Sequence, residues 1–398
     1  MSFKLPKRLP TVLTVFLSAL VLVLTIIYLY SFQLVKSSQK EKPLGISSEV
    51  ERFYAACGRY SRKEQCYADG FYTLSQKTDL TFAKKVLVAL QKKDPRGARG
   101  CHLISHKIAY AQMEKDPSKW KDLLSQQDPN FCTGGFMHGI LEKHMQVDQK
   151  FALTADQFPV ICSIVKEQGV LSCNHILGHL LLVETGGDID YALSVCKNVV
   201  DNAARYECMS GVFMENLTRL NLIDHKLAKP LPWNVENTKK IEALCLQHSG
   251  EQAEACWKEI SYMYISMSNE DPAGLYEKCY GLSQKNFREA CYIYGAGNMV
   301  VFSDFKASDL PRVCEPFIEK DWGMYDKCLG QITGSMMASS PEFRDNVISV
   351  CASAARGSNS YCFRQIAYRL KRANLPDKQK RDYCQNAPVD YKEDCING

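Results

Sequence analysis

The spacing of eighteen cysteines constrains this chain more than any other feature. They fall into close couples: Cys57 with Cys66, Cys162 with Cys173, Cys196 with Cys208, Cys245 with Cys256, Cys279 with Cys291, Cys314 with Cys328, Cys351 with Cys362, and Cys384 with Cys395. With Cys101 and Cys132 added, the second members recur about every 35 residues, the period of a two-helix repeat. Stretches such as 241–245 and 347–351 read as the end of a first helix, and 255–260 as the start of a second. Turn formers such as Gly357 and Asn359 lie between the couples. The pattern predicts an all-α chain: a disulfide-stapled solenoid of about ten two-helix repeats, following an N-terminal transmembrane helix.

The count is even and no Cys-x2-Cys occurs, so the cysteines read as disulfides rather than zinc knuckles. Such density persists only in an oxidising compartment. Cys101 and Cys132 depart from the pattern, because their repeats have no first-helix cysteine. Residues 81–93, with Phe82, Val86, Leu87 and Leu90 at helical spacing, and residues 119–127 are the expected unstapled first helices. Cys101 is then expected to pair with Cys132, between neighbouring repeats.

Lys4, Lys7 and Arg8 precede an uncharged run over 12–32, long enough to cross a bilayer and ending in Tyr28, Tyr30 and Phe32. An uncleaved anchor is expected rather than a signal peptide. The cysteines set its direction, giving a single-pass membrane protein with its body outside the cytoplasm, on the periplasmic or cell-surface side. The expected divisions are a cytoplasmic N-terminus (1–11), the anchor (12–32), a linker (33–50), an N-terminal repeat half (51–220), a Pro-containing loop or soft boundary (221–235), and a C-terminal half (236–398). A net charge of +5 with no long basic run gives no sign of a nucleic-acid partner.

The stretch Ile176-Leu-Gly178-His-Leu180, followed by Gly186, Asp188 and Ala192-Leu193, resembles the spine of tetratricopeptide-like repeats, in particular the exported cysteine-rich kind. That resemblance implies a right-handed superhelix of helical hairpins whose concave face binds a protein or peptide.

Six of the eight histidines lie between 102 and 179, and five of them fall as His102/His106, His138 and His175/His179, with Glu142 four residues after His138. Residues four apart share a helix face, so each pair can converge on one point. Counted from the local cysteine they fall at similar heights on consecutive second helices. His144 points elsewhere, and His225 and His248 lie in ordinary repeats. Three readings stand. In the first, the histidines simply pack at helix contacts that Gly134, Gly135, Gly139 and Gly178 make close. Alternatively, His102, His106, His138, Glu142, His175 and His179 bind a divalent transition metal, namely zinc, copper or iron. Third, an imidazole oriented by Glu142 performs acid–base catalysis. No Walker loop, Gly-x-Gly-x-x-Gly, His-Glu-x-x-His or Gly-x-Ser-x-Gly is present. Two functions follow: a membrane-tethered scaffold for a protein or peptide partner, or a metal-dependent extracytoplasmic enzyme.

Overall fold

The computed structural model describes residues 45–398, apart from 61–62, 96–99, 127–130, 148–152, 167–168, 219–234, 304, 319, 340–342, 356 and 373–374. The expected anchor at 12–32 and most of the boundary at 221–235 lie outside the described residues. Among the described residues there is no strand, and no helix is long and apolar enough to cross a membrane.

Up to Arg372 the described helices alternate shorter and longer. They are α1 (Ile46–Cys57), α2 (Lys63–Lys77), α3 (Leu80–Lys93), α4 (Cys101–Lys115), α5 (Trp120–Gln126), α6 (Gly135–Val147), α7 (Gln157–Cys162), α8 (Val170–Glu184), α9 (Ile189–Lys197) and α10 (Asn202–Thr218). Then follow α11 (Val235–Leu246), α12 (Gly250–Met267), α13 (Pro272–Tyr280), α14 (Lys285–Phe302), α15 (Leu310–Cys314), α16 (Trp322–Ser339), α17 (Arg344–Ala352), α18 (Ser358–Arg372), α19 (Asp377–Tyr383) and α20 (Lys392–Ile396). α1 begins inside the stretch the sequence assigns to linker, because Glu49 and Val50 are already buried.

Aspartates start many of the short helices. Asp79, Asp188 and Asp271 each accept a hydrogen bond from a backbone N–H in the first turn, of Phe82, Tyr191 and Gly274 among others. Pro272 follows Asp271, where its missing N–H leaves no bond unmade. Between α8 and α9, Gly186 and Gly187 take positive φ (66° and 93°), so the helix stops and Asp188 can cap the next one.

The even-numbered helices from α2 to α20 pack each on the next in chain order, and each odd-numbered helix lies against the even-numbered one that follows it. A single apolar core runs along this stack from Val50 to Cys395. Eight disulfides join the end of a short helix to the first turns of the following one, at sequence separations of 9 to 14. The ninth, Cys101–Cys132, spans 31 residues and ties the start of α4 to the turn before α6. All eighteen cysteines are bridged, and all but Cys66 are buried.

Each staple limits the unfolded chain more than the folded one. For Cys279–Cys291, with a separation of 12, the chain-entropy model gives about 3 kcal/mol. A Cys279→Ser/Cys291→Ser double variant is therefore expected to lose about that much stability while keeping its helical circular dichroism, as denaturant titration can measure.

Candidate metal centre

The histidine-bearing helices approach one another unusually closely, and glycine is the reason. A Cβ on Gly135 of α6 would fall 2.4 Å from the carbonyl oxygen of His102 on α4, and one on Gly139 would fall 2.5 Å from that of His106. The same device joins α8 to α10: Gly178 stands 2.1 Å, by the same measure, from the Cys208 carbonyl, and Gly211 stands 1.9 Å from that of His175. No side chain larger than hydrogen fits at these distances. The backbones meet there, and the side chains one turn away are pressed together.

His102, His106, His138, His175 and His179 form one chain of ring contacts. His102 and His138 have centroids 5.6 Å apart, His106 and His138 4.7 Å, His138 and His179 5.2 Å, and His175 and His179 4.8 Å. His106 Nε2 lies 2.8 Å from Glu142 Oε2, with both side chains buried. The ligand atoms of His106, His138 and Glu142 lie within 4.8 Å of one another, so these three could hold a metal ion. His144 is elsewhere, stacked on Trp120 at 4.1 Å. His248 packs edge-on against Phe213, and His225 lies outside the described residues.

The hydrogen-bond pattern sets which nitrogen of each ring carries a proton. Before α6, Cys132, Thr133 and Gly134 take left-handed φ of 52°, 53° and 82°, a costly conformation for a β-branched threonine. The Cys101–Cys132 bridge holds this turn, and the Thr133 hydroxyl donates to the Cys132 carbonyl at 2.7 Å. That hydroxyl oxygen then accepts from His102 Nδ1 at 3.2 Å. His102 Nε2, left without a proton, accepts from His138 Nδ1 at 3.4 Å. His138 Nε2 is then the nitrogen open to a metal ion. His102 would orient that ring, in the way that outer partners orient metal-bound imidazoles.

α10 and α12 supply partners that the histidine pattern does not reveal. His179 Nδ1 donates to Glu215 Oε2 at 3.1 Å, and both are buried. His175 Nδ1 lies 3.4 Å from Glu207 Oε2, and its Nε2 lies 3.2 Å from Met214 Sδ. Lys258 Nζ contacts Glu207 at 3.1 Å and Glu259 at 3.8 Å, and lies over the rings of Tyr206 and Tyr294. Glu259 is also hydrogen-bonded to the Ser210 hydroxyl. One sequence signal points to Glu215: His102–His138 and His179–Glu215 are each 36 residues apart, close to the cysteine period.

Burial governs the charges. It pushes His102, also beside His106 and His179, down to about 3, and takes His138 well below the usual histidine range. It lowers His175 and His179 as well, with Glu207 and Glu215 opposing it. Burial would raise Glu207, but Lys258 and His175 bring it down to about 2, whereas burial raises Glu259 to about 7. The four shifted imidazoles are neutral at neutral pH, which is the form that binds metals. Comparison with protein-family models, curated proteins and solved structures yields no match.

Two outcomes follow. Gly139→Ala should cost about 1–3 kcal/mol through overpacking against the His106 carbonyl, and denaturant titration reads it. The second concerns pH. His102, His138, His175 and His179 have folded values below the ordinary 6.5, so as pH falls below 6.5 the unfolded chain takes up protons that the folded chain refuses. Glu259, raised from 4.5 to about 7, acts in the opposite sense between those values but is a single group. Thermal stability of the metal-free protein should therefore fall as pH is lowered from about 6.5 towards 4, and Phe substitution of His138 should flatten that slope.

Proposed function

We propose that this chain is a membrane-anchored, extracytoplasmic scaffold of two-helix repeats that binds a protein or peptide partner. In this reading, a divalent transition ion at His106, His138 and Glu142 locks the repeats around α4 and α6. The observation that carries the metal reading is the buried trio, whose ligand atoms lie within 4.8 Å of one another. Nine disulfides support an oxidising compartment, and the apolar run at 12–32 supports the anchor. The serial packing of the longer helices and the tetratricopeptide-like stretch in α8 and α9 support the repeat reading and, through it, a peptide-binding role.

Burial favours a structural ion over a catalytic one. His106, His138 and Glu142 are only 3%, 1% and 2% exposed, which leaves a substrate no approach to an open coordination position. An ion there would tie α4 to α6, the two helices whose hairpins have no internal disulfide. Metal and the Cys101–Cys132 bridge would together do what a single bridge does in the other hairpins.

Elemental analysis and thermal unfolding of the full chain, exposed in turn to zinc, copper and iron, test this. At an ion concentration about 100 times Kd, stability should rise by about 2.7 kcal/mol. His106→Ala should abolish both binding and the gain. His102→Ala should weaken binding only about 10–100-fold, since His102 orients a ligand rather than serving as one. Wild-type protein that binds no ion, or a His106→Ala variant that retains it, would refute the metal reading.

A further inference from the structure

α3 buries Ala83, Val86, Leu87 and Leu90 in the core. A second stripe of the same helix, Leu80, Lys84, Val88 and Lys92 at every fourth position, lines a groove instead. Ala89 and Ile46, the first residue of α1, add to its apolar lining, and Lys85 adds a third ammonium. The groove holds about 510 Å³, within the roughly 300–1,000 Å³ of small-molecule sites. Lysine stems often cover apolar surface, but here they leave that volume open.

The charge around it is one-sided. Among the described residues no carboxylate lines the groove. The two carboxylates of α1 are engaged elsewhere, Glu49 with Arg52 and Glu51 with Lys93. Lys84 rests over the Phe131 ring at 4.4 Å, which positions its ammonium without neutralising it. Lys85 and Lys92 are exposed. An apolar slot edged by three cations is complementary to an amphiphile with an anionic head.

We infer that this groove binds an anionic phospholipid, with an acyl chain against Ile46, Leu80 and Val88 and the headgroup phosphate at Lys84, Lys85 and Lys92. The source of the lipid rests on the anchor reading. Only residues 33–45 separate the apolar run at 12–32 from Ile46, no more than about 45 Å of fully extended chain, so membrane lipid is the amphiphile within reach.

The test uses the purified full chain in non-ionic detergent micelles carrying phosphatidylglycerol with a photoactivatable diazirine on its acyl chain. Mass spectrometry then locates the adducts. Wild type should be labelled within 80–93, and a matching phosphatidylcholine probe should label that stretch at least about tenfold less. A Lys84→Gln/Lys85→Gln/Lys92→Gln variant with unchanged circular dichroism should lose the phosphatidylglycerol adducts there. No labelling of 80–93, equal labelling by the phosphatidylcholine probe, or equal labelling of the variant overturns the proposal. A free fatty-acid probe that labels 80–93 as strongly as phosphatidylglycerol also overturns it. Adducts within 12–32 are scored separately and report on the anchor. Labelling of 12–32 alone therefore defeats the groove and keeps the anchor, and labelling of 80–93 alone does the reverse.

Discussion

Everything distinctive about this molecule depends on backbone meeting backbone at Gly135, Gly139, Gly178 and Gly211. Helices in ordinary contact are kept about 8–10 Å apart by the side chains between them. Where a Cβ would land 1.9–2.5 Å from a carbonyl oxygen, that spacer is absent on one side. The helix pairs α4/α6 and α8/α10 close up, and histidine rings that would otherwise reach past one another become neighbours. The glycines and the histidines are thus one design. Gly139 touches the backbone of His106, and Gly211 touches that of His175.

The closeness has an electrostatic consequence. Rings pressed together and covered by apolar helices lose water, and the charged form of each imidazole suffers most. Neutrality then forces each ring to choose a tautomer, and the choice passes along contacts: Thr133 fixes His102, His102 fixes His138, and Glu215 fixes His179. This explains why the left-handed turn at Cys132 and Thr133 is held by a disulfide with a different span from the other eight. Two residues with positive φ cost roughly 1–2 kcal/mol each, and the cross-link keeps the turn from relaxing into the helix that follows.

Much of this was legible in the sequence. The cysteine spacing gave helical hairpins with bridges at their necks, and the odd pair Cys101 and Cys132 marked the place where the pattern changes. Residues four apart, such as His102 and His106, announced shared helix faces. The partners on the next helices were harder to see. Glu215 stands 36 residues after His179, so the repeat period itself pointed to it, but a lone glutamate among many carries no local signature. Lys258 and Glu259 belong to a helix with no histidine, and only packing brings them to Glu207. The start of α1 within the expected linker had the same origin, since α1 packs on α3 across the intervening α2.

The balance of buried charge bears on the proposed cation in the centre. Among the described residues Lys258 is the one buried lysine or arginine, and Glu207 and Glu259 already share it. Glu142 and Glu215 are 2% and 1% exposed, and each meets an imidazole, His106 and His179 respectively. His179 is held in its neutral form by burial. A buried carboxylate is stabilised by a counter-ion as well as by hydrogen bonds. Burial first, and the neighbouring imidazoles second, hold His102 and His138 below the usual histidine range. The divalent ion proposed at His106, His138 and Glu142 would place its two positive charges beside the Glu142 carboxylate.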